Sequence, residues 1–426
     1  MVKEFLGAVV NKGFNIMLGS LLKNRLLHEC RDESLCSERS RKMNRKVCIL
    51  MNRFYPIVGG SETQAKQLSE RLISKGARIF ILTRRINLNL KKFEYVGRIP
   101  VYRVGLGGIG RFSEYSMVFA IWEFLLKRLR DFDILFSRSP TALSSLLAIP
   151  FAKRFKKKVV IRPAGTADIL RIRNSKLSYL KYKCLKMADS FIAINSEIVQ
   201  ELTSLGVNKS KIHFISNGVD ADRFIPITSN GKKVLKKKQL SLPNKKIISF
   251  SGRLVWHKGL DVLLWAWKDV LREFPQGAHL IFLGTGSLQK DSCEQELKKF
   301  VQNHNLSLNV SFQGNVSNIE EYLQATDIYV FPSRKEGFPN ALLEAMACGL
   351  PTIVTRIGGV LDIVKDKFNG ILVDVDEPKQ IAEAIIFLMR NTEYAIRLGV
   401  NARTFVEKNY SLDIITEKYI KFFDSL

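Results

Sequence analysis

Short apolar runs separated by helix-length segments constrain the fold of this chain more than any other feature of its sequence. In the first half they lie at Lys46–Met51, Ile79–Thr83, Ile134–Phe136, Val159–Ile161, Ser190–Ile194 and Ile212–Ile215. In the second half they lie at Ile247–Phe250, His279–Leu283, Val310–Phe312, Ile328–Phe331 and Pro351–Val354. Runs of this length that alternate with helices are typical of buried parallel strands. Because the alternation occurs twice, the sequence predicts an α/β chain with two doubly wound, Rossmann-like domains that face a central cleft.

The limits of the two domains follow from where these runs begin and end. A stretch rich in Lys, Ser, Asn and Pro separates the two halves and is typical of a surface linker. The last segment is helical and amphipathic. The predicted division is an extension over residues 1–43, a first domain over 44–225, a linker over 226–246, a second domain over 247–400 and a C-terminal helix over 401–426.

Within the extension, apolar residues recur on one face at helical spacing. They are Leu6, Val10, Phe14, Met17 and Leu21. The stripe is compatible with a helix that lies in a membrane interface, with a helix packed on the body of the protein, and with a disordered segment. The sequence leaves these three interpretations open.

Charge is distributed unevenly along the chain. The net charge is +27, of which residues 1–225 carry +23 and residues 226–426 carry +4. Such an excess favours an anionic partner such as acidic lipid or a phosphorylated substrate, although a generally basic proteome would give the same excess. A nucleic-acid partner is not expected, because the lysines are not interleaved with aromatic residues and no binding module can be recognised.

Cysteine spacing and hydropathy indicate the compartment. The six cysteines lack the spacing of a metal site, which predicts reduced thiols in a cytosolic protein. No charge-free apolar window of about 20 residues occurs, so no membrane-spanning helix is expected. Together with the basic first half, these features predict a cytoplasmic protein that binds peripherally to the inner face of the cell membrane.

Two glycine-containing loops directly follow predicted strands, which is where open α/β sheets bind ligands. The loop Pro56–Glu62 has two adjacent glycines before a helix, and such a turn lets backbone N–H groups approach a phosphate. A simple turn is the alternative. The loop Ser251–Gly259 carries Arg253 and Lys258 at a spacing that lets both converge on a diphosphate. A solvated basic turn is the alternative.

A third loop, Glu336–Glu344, carries two glutamates that are eight residues apart. If a helix starts near Asn340, Glu344 lies one turn inside it while Glu336 stays in the loop. The turn before the helix can offer N–H groups to an anion, and Glu344 can accept hydrogen bonds from sugar hydroxyls. Two exposed helix glutamates are the alternative. The apolar neighbours argue against it, because a carboxylate in apolar surroundings costs free energy unless it is paired or hydrogen-bonded.

Several longer segments resemble the retaining GT-B glycosyltransferases of family 4. In the second half these are SGRLVWHKGLD (251–261), LGTG (283–286), FQGNV (312–316), DIYVFPSRKEGFPNALLEAMACGLPTIVT (327–355), GGVLDIV (358–364) and NGILVD (369–374). In the first half they are ADSFIAINS (188–196) and KIHFISNGVDADRF (211–224). The resemblance covers residues 45–426 and is strongest from residue 188 onward.

The resemblance implies a role for the charged residues of these loops. Arg253 and Lys258 would bind the donor diphosphate and neutralise the charge that develops on the leaving group, in place of a metal ion. Glu336 would lie beside the donor sugar, and Glu344 would hold the ribose hydroxyls. Because Arg253 and Lys258 both lie on a loop, their replacement is expected to leave folding nearly unaffected.

The remaining donor contacts implied by the resemblance would be made largely by the backbone. The residues that would contact the sugar and phosphate are Gly337, Phe338, Asn340 and Ala341. The backbone near Val316 would contact the base, and Gly60 would contact phosphate from the first domain. The C-terminal helix would cross back to the first domain. No cofactor and no metal site are expected.

One feature of the family is missing from this chain. Many members carry a histidine immediately before a glycine in the first domain, whereas here Ala164 precedes Gly165. Arg138, Arg162 and Asp168 are the polar residues nearby. None of them is assigned as a catalytic base.

These observations predict a hexosyltransferase that moves a sugar from a nucleoside diphosphate sugar to an acceptor hydroxyl with retention of configuration. A UDP-sugar is favoured, because EGFPN (336–340) resembles members that use UDP. The acceptor is expected to be a lipid-linked saccharide of a surface polysaccharide, since the basic half would lie on an anionic membrane. Two alternatives stay open: a catalytically inactive GT-B scaffold subunit, favoured by the missing histidine, and a sugar-nucleotide epimerase on the same fold.

Overall fold

The computed structural model describes residues 43, 45–57, 59–107, 111–138, 142–165, 168–169, 178–287, 289 and 291–426. The apolar stripe from Leu6 to Leu21 lies outside the described residues. None of the helices that the structure describes is both long and apolar enough to cross a membrane.

In the described part of the first half, eight strands form one sheet. The strands are β1 (Lys46–Met51), β2 (Arg78–Arg84), β3 (Phe93–Val96), β4 (Ile99–Val104), β5 (Ile134–Ser137), β6 (Lys158–Ile161), β7 (Ser190–Ala193) and β8 (Ile212–Phe214). Their order in the sheet is β3-β4-β2-β1-β5-β6-β7-β8. Only β3 and β4, which a short turn connects, pair antiparallel.

In the described part of the second half, six parallel strands form another sheet. They are β9 (Lys246–Ser251), β10 (Ala278–Leu283), β11 (Val310–Gly314), β12 (Ile328–Phe331), β13 (Thr352–Thr355) and β14 (Ile371–Val373). Their order is β11-β10-β9-β12-β13-β14. The order reverses between β9 and β12, and in sheets of this kind ligands bind at such a switch point.

Helices connect most of these strands. In the first half they are α1 (Gly60–Ser74), α2 (Arg111–Lys127), α3 (Leu143–Arg154), α4 (Ser178–Lys186) and α5 (Ser196–Ser204). In the second half they are α6 (Asn230–Gln239), α7 (Leu260–Glu273), α8 (Glu294–Asn303), α9 (Ile319–Ala325), α10 (Asn340–Ala347), α11 (Gly358–Leu361), α12 (Pro378–Arg390), α13 (Thr392–Tyr410) and α14 (Leu412–Asp424).

Alternate residues of strand β1 belong to two separate apolar cores, as expected when helices cover both faces of a sheet. Cys48 and Leu50 are buried in one core, whereas Val47 and Ile49 are buried in the other. In the second sheet, strand β10 is buried along its whole length. The predicted α/β class with two doubly wound parallel sheets is therefore confirmed.

The stretch 226–246, predicted to be a surface linker, is partly ordered against the second domain. It contains α6, whose Lys233 and Lys237 ammonium groups lie 3.3 and 2.7 Å from the carboxylate of Asp327. Asp327 also accepts a hydrogen bond from the N–H of Ile247 at the start of β9. The lysine-rich composition suggested exposure, but lysine stems can cover apolar surface while their charges pair with a carboxylate.

The segment 401–426, predicted to be one helix, belongs to two helices with different partners. Helix α13 packs in the core of the second domain, and α14 packs against α1 and the first sheet. The break falls at Ser411, whose hydroxyl caps the start of α14. Next to it, Val219 donates to the carbonyl of Tyr410 at 2.9 Å and accepts from Leu412 at 2.8 Å. The two places where the chain passes between the domains therefore lie side by side.

Candidate active site

The loops singled out from the sequence lie at the carboxyl ends of neighbouring strands. Strands β9 and β12 pair directly in the second sheet. Because Lys258 follows β9 and Glu336 follows β12, the topology brings these side chains to the same edge of that sheet. Gly60 begins α1 at the corresponding edge of the first sheet.

Lys258 and Glu336 form a buried ion pair through Nζ and Oε1. Their side chains keep only 11% and 9% of their accessible surface. The hydroxyl of Ser333 donates to the same carboxylate oxygen at 2.7 Å, and the ammonium lies 5.4 Å from the centre of the Phe331 ring. Burial removes hydration from both charges, so each depends on the other and on these neighbours for compensation.

The backbone at Gly259 explains why Lys258 is held in this position. Residues Trp256–Lys258 form a 3₁₀ turn that ends at Gly259, which has a φ of 64°. A Cβ atom at Gly259 would overlap the carbonyl oxygen of Pro332. Only glycine satisfies both the left-handed conformation and the close approach to the loop that follows β12.

Arg253 lies in a different environment from Lys258. Its side chain is exposed, and its Nη1 donates to Oε1 of Gln289 at 3.1 Å. Among the described residues, no hydrogen bond or ion pair joins Arg253 to Lys258 or Glu336. The structure therefore brings two of the three predicted catalytic residues together and leaves the third at the surface of the same loop.

The N-termini of two helices from different domains meet near the ion pair. Asn340 begins α10, and a Cβ atom placed on Gly60 would lie 3.3 Å from its Nδ2. Asn217 of the first domain donates from Nδ2 to Oδ1 of Asn340 at 2.8 Å. Helix N-termini carry unpaired N–H groups and a positive dipole end. Two that converge form an environment suited to a phosphate group.

The turn before α10 is held against the first domain through its backbone. Asn195 donates from Nδ2 to the carbonyl oxygen of Gly337 at 2.8 Å. A Cβ atom on Gly337 would lie 2.8 Å from the carbonyl oxygen of Ala164, so a larger residue would push the domains apart. Phe338 contacts apolar residues of both domains, and the half-buried Ala341 packs on the second domain alone.

Glu344 lies one turn inside α10 with its side chain only partly exposed. Burial raises the pKa of its carboxyl group to about 7, the Arg223 guanidinium opposes this rise, and Glu320 adds to it. Arg223 and Glu320 are themselves joined by an ion pair of 2.7 Å. Near neutral pH the carboxyl group is therefore partly protonated and can both donate and accept hydrogen bonds. Val316, predicted to lie near a base, packs on a small apolar cluster that includes Ile281.

Sequence reasoning missed several residues that shape this region. Asn195, Asn217 and Ser333 each follow a strand closely and each makes a hydrogen bond described above. Their positions just beyond strand ends were the available signal, because polar side chains there point toward a shared edge. Arg223 carried no such signal, since its partner Glu320 is 97 residues away in sequence.

Ala164, which stands where the resemblance led us to look for a histidine, donates its N–H to Oδ2 of Asp168 at 2.9 Å. Asp168 therefore serves the local turn. Arg138 and Arg162 are both buried at the ends of β5 and β6. No described residue of this group combines exposure to the cleft with the properties of a general base.

A cavity of about 500 Å³ lies between the two domains. Its lining includes Glu197 and Glu201 of α5 from the first domain, and Arg334, Glu336 and Gly358 from the second. A volume of this size is typical of a small-molecule site. Among the described residues, no group of three or more His, Cys, Asp or Glu side chains is arranged to hold a metal ion.

Two family models match this sequence in succession. The model of Glycosyltransferase Family 4 matches residues 58–223, and the model of Glycosyl transferases group 1 matches residues 231–405. Together the two matches cover most of the chain, and their boundary coincides with the passage between the two sheets.

Individual relatives match over nearly the same span. An uncharacterized glycosyltransferase of Methanocaldococcus jannaschii is 28% identical over 404 residues, covering 89% of this chain and 98% of the relative. The N,N'-diacetylbacillosaminyl-diphospho-undecaprenol alpha-1,3-N-acetylgalactosaminyltransferase of Campylobacter jejuni is 28% identical over 314 residues, covering 71% of this chain and 80% of the relative. Among solved structures, Anabaena HepE in complex with UDP has a TM-score of 0.73 at 18% identity, covering 89% of this chain and 100% of its own. That likeness concerns the fold alone.

Proposed function

This chain belongs to the GT-B glycosyltransferases of family 4, and from that membership we propose that it transfers a hexosyl unit from a nucleoside diphosphate sugar to an acceptor hydroxyl with retention of configuration. The observation that carries the proposal is the Lys258–Glu336 pair beside the N-terminus of α10. It combines a buried cation for a diphosphate with a carboxylate for sugar hydroxyls. Both lie in loops that follow adjacent strands of one sheet, and Glu336 lines the cavity between the two domains.

We favour a UDP-sugar as donor. The segment EGFPN (336–340) resembles members that use UDP, and the structure of Anabaena HepE was solved with UDP. Glu344 lies one turn inside the helix that follows, where a carboxyl group that both donates and accepts hydrogen bonds suits a ribose diol. Val316 would approach the base from the loop after β11.

In the mechanism that we propose, the bond between the anomeric carbon and the diphosphate oxygen breaks while the acceptor oxygen bonds to the same face. The acceptor proton passes to the departing diphosphate oxygen, so no side chain has to act as the base. Lys258 and Arg253 stabilise the negative charge that grows on the diphosphate, and this is where electrostatic catalysis is most effective. Glu336 positions the sugar and does not form a covalent bond with it.

The proposed acceptor is a lipid-linked saccharide at the inner face of the membrane. Support comes from the +23 charge of residues 1–225 and from the Campylobacter jejuni relative, whose name specifies a diphospho-undecaprenol acceptor. Among the described basic residues, Arg154, Lys183 and Lys186 are exposed on α3 and α4. Arg84, by contrast, is buried and cannot contribute to a membrane-binding surface.

A screen of nucleotide sugars by thermal shift, followed by turnover on membrane extracts, tests this proposal. We expect a UDP-sugar to raise the melting temperature and to release UDP only when extract is present. Binding without turnover in every extract would favour an inactive scaffold. Conversion of the nucleotide sugar in the absence of any acceptor would favour an epimerase.

A further inference from the structure

Two buried arginines follow neighbouring strands of the first sheet. Arg138 directly follows β5, Arg162 directly follows β6, and these strands pair side by side. Each residue keeps 3% of its accessible surface. Among the described residues, no carboxylate forms an ion pair or hydrogen bond with either guanidinium, and the Nε atom of each has no hydrogen-bond partner.

The electrostatic environment of these two arginines is unfavourable. Burial and the neighbouring Arg162 cation lower the pKa of Arg138 to about 9, so the group still carries its charge at neutral pH. Tyr419 and, more weakly, Glu62 oppose this lowering of the Arg138 pKa electrostatically, and the Glu62 carboxylate lies against Gly59. Buried charges that lack a close counter-charge destabilise a protein. An anion at this point would relieve that cost.

A small cavity provides room for such an anion. Arg138 and Arg162 line it together with Gln64 and Asn217, and its volume is about 10 Å³. That is room for one water-sized atom. One oxygen of a larger oxyanion would fit, while the rest of the group would remain outside the cavity.

We propose that Arg138 and Arg162 form an oxyanion-binding site that accepts one oxygen of a phosphate or carboxylate group carried by a substrate. Guanidinium groups suit such oxygens because their N–H donors form a planar fork that matches oxyanion geometry. This site is additional to the proposed diphosphate clamp, which consists of Arg253 and Lys258 of the second domain. It would also explain why two arginines are buried at strand ends in the first domain although burying their charges costs free energy.

The site is connected to the donor loop by one side chain. Nη2 of Arg162 donates to Oδ1 of Asn217, and Nδ2 of Asn217 donates to Oδ1 of Asn340 at 2.8 Å. An oxyanion at the arginine pair would therefore lie close to the N-terminus of α10. It can belong either to the diphosphate of the donor or to an acidic group of the acceptor.

The test uses the full chain and the variants Arg138→Met and Arg162→Met, with inorganic phosphate and UDP as separate probes. We expect phosphate to raise the melting temperature of the wild type, and each variant to bind phosphate at least about tenfold more weakly. In buffer without phosphate, Arg138→Met should melt at or above the wild-type temperature, because it removes an uncompensated buried charge without breaking a hydrogen bond. A structural role for Arg138 predicts a lower melting temperature.

Arg103→Met is the matched control. Arg103 is equally buried at the end of the same sheet, but it forms a 2.7 Å ion pair with Glu94 and donates to the carbonyl of Tyr55 at 2.6 Å. This variant should melt at a lower temperature and keep the response to phosphate.

The UDP measurements separate the two sources of the oxyanion. Weaker UDP binding by Arg138→Met would assign the oxyanion to the donor. Unchanged UDP binding, with loss of phosphate binding in the presence of saturating UDP, would assign it to the acceptor. The inference is wrong if Arg138→Met binds both phosphate and UDP as the wild type does. A wild type that binds phosphate but no UDP would contradict the proposed donor and leave the arginine site supported.

Discussion

The Lys258–Glu336 ion pair allows a prediction that joins stability to activity. Replacement of Lys258 by Met leaves the Glu336 carboxylate buried with Ser333 as its hydrogen-bond donor. Breaking a fully buried pair costs about 3–5 kcal/mol. Because both side chains keep a tenth of their surface and Glu336 borders the cleft cavity, we expect about 2 kcal/mol, or a melting temperature roughly 4–8 °C lower.

Arg253→Met serves as the comparison, because Arg253 lies on the same loop but is exposed. Its melting temperature should equal that of the wild type. Both variants should lose at least about a hundredfold in kcat/KM, on the order of 3 kcal/mol, if both cations stabilise the leaving group. The double variant Lys258→Met/Glu336→Gln should recover most of the lost stability and stay inactive, because it no longer buries an unpaired charge.

The assays are thermal melting monitored by circular dichroism and UDP release with a donor identified by the binding screen. A Lys258→Met variant that melts like the wild type would show that the ion pair does not contribute to stability. Turnover near the wild-type rate in either single variant would show that the corresponding cation has no part in the proposed clamp.

Three further predictions concern metal dependence, the Glu344 carboxyl group and membrane binding. Activity should survive EDTA, because the described residues hold no metal-ligand cluster. Asp374 and Asp376 have the Asp-x-Asp spacing of a metal site, but Asp374 accepts from the side chain of Gln380 at 3.1 Å and Asp376 accepts from Arg334 at 2.6 Å. Loss of activity with rescue by Mn²⁺ or Mg²⁺ would contradict this. The pKa of Glu344 is raised from 4.5 to about 7 in the folded protein, so its contribution to stability is full below pH 4.5 and is lost as the pH rises through 7. Glu344→Gln should therefore be more stable than the wild type at pH 8, by about 3 kcal/mol, and should bind UDP more weakly. Equal dependence of the melting temperature on pH in the variant and the wild type would refute the assignment. The full chain and a chain that starts at Met43 should both bind anionic vesicles in low salt and be released in high salt. If residues 6–21 add an apolar anchor, the full chain alone should keep some binding in high salt. The double variant Lys183→Glu/Lys186→Glu should bind these vesicles more weakly than the control variant Lys379→Glu, whose lysine is also exposed. If neither chain binds anionic vesicles in low salt, a soluble acceptor becomes the better hypothesis.

The strands of this protein could be predicted well from the sequence because parallel strands covered on both faces are continuous apolar runs. The predicted run at Ile79–Thr83, for example, differs from β2 by one residue at each end. The α6 helix was missed because its lysines suggested a linker, and only the distant Asp327 makes them part of the domain. The break at Ser411 was missed because the residues on both sides of it have helical spacing.

The candidate site could be predicted only in part. The glycine-containing loops that follow strands indicated Lys258 and Glu336, because ligands bind beyond the carboxyl ends of the strands in open α/β sheets. The sequence could not show that Lys258 is buried and paired while Arg253 is exposed, because burial depends on Glu336 and Ser333, far along the chain. The expectation that replacing Lys258 leaves folding unaffected is revised for this reason.

The central claim is that this chain transfers a sugar with retention of configuration, and the product of a single reaction tests it most directly. The purified 426-residue chain would be incubated with the UDP-sugar that it binds and with membrane extract, and the product would be examined by NMR. We predict a new glycosidic bond with the same anomeric configuration as the donor, formed in equal amount to the released UDP. An inverted linkage, or a nucleotide sugar that is altered without transfer to any acceptor, would contradict the account.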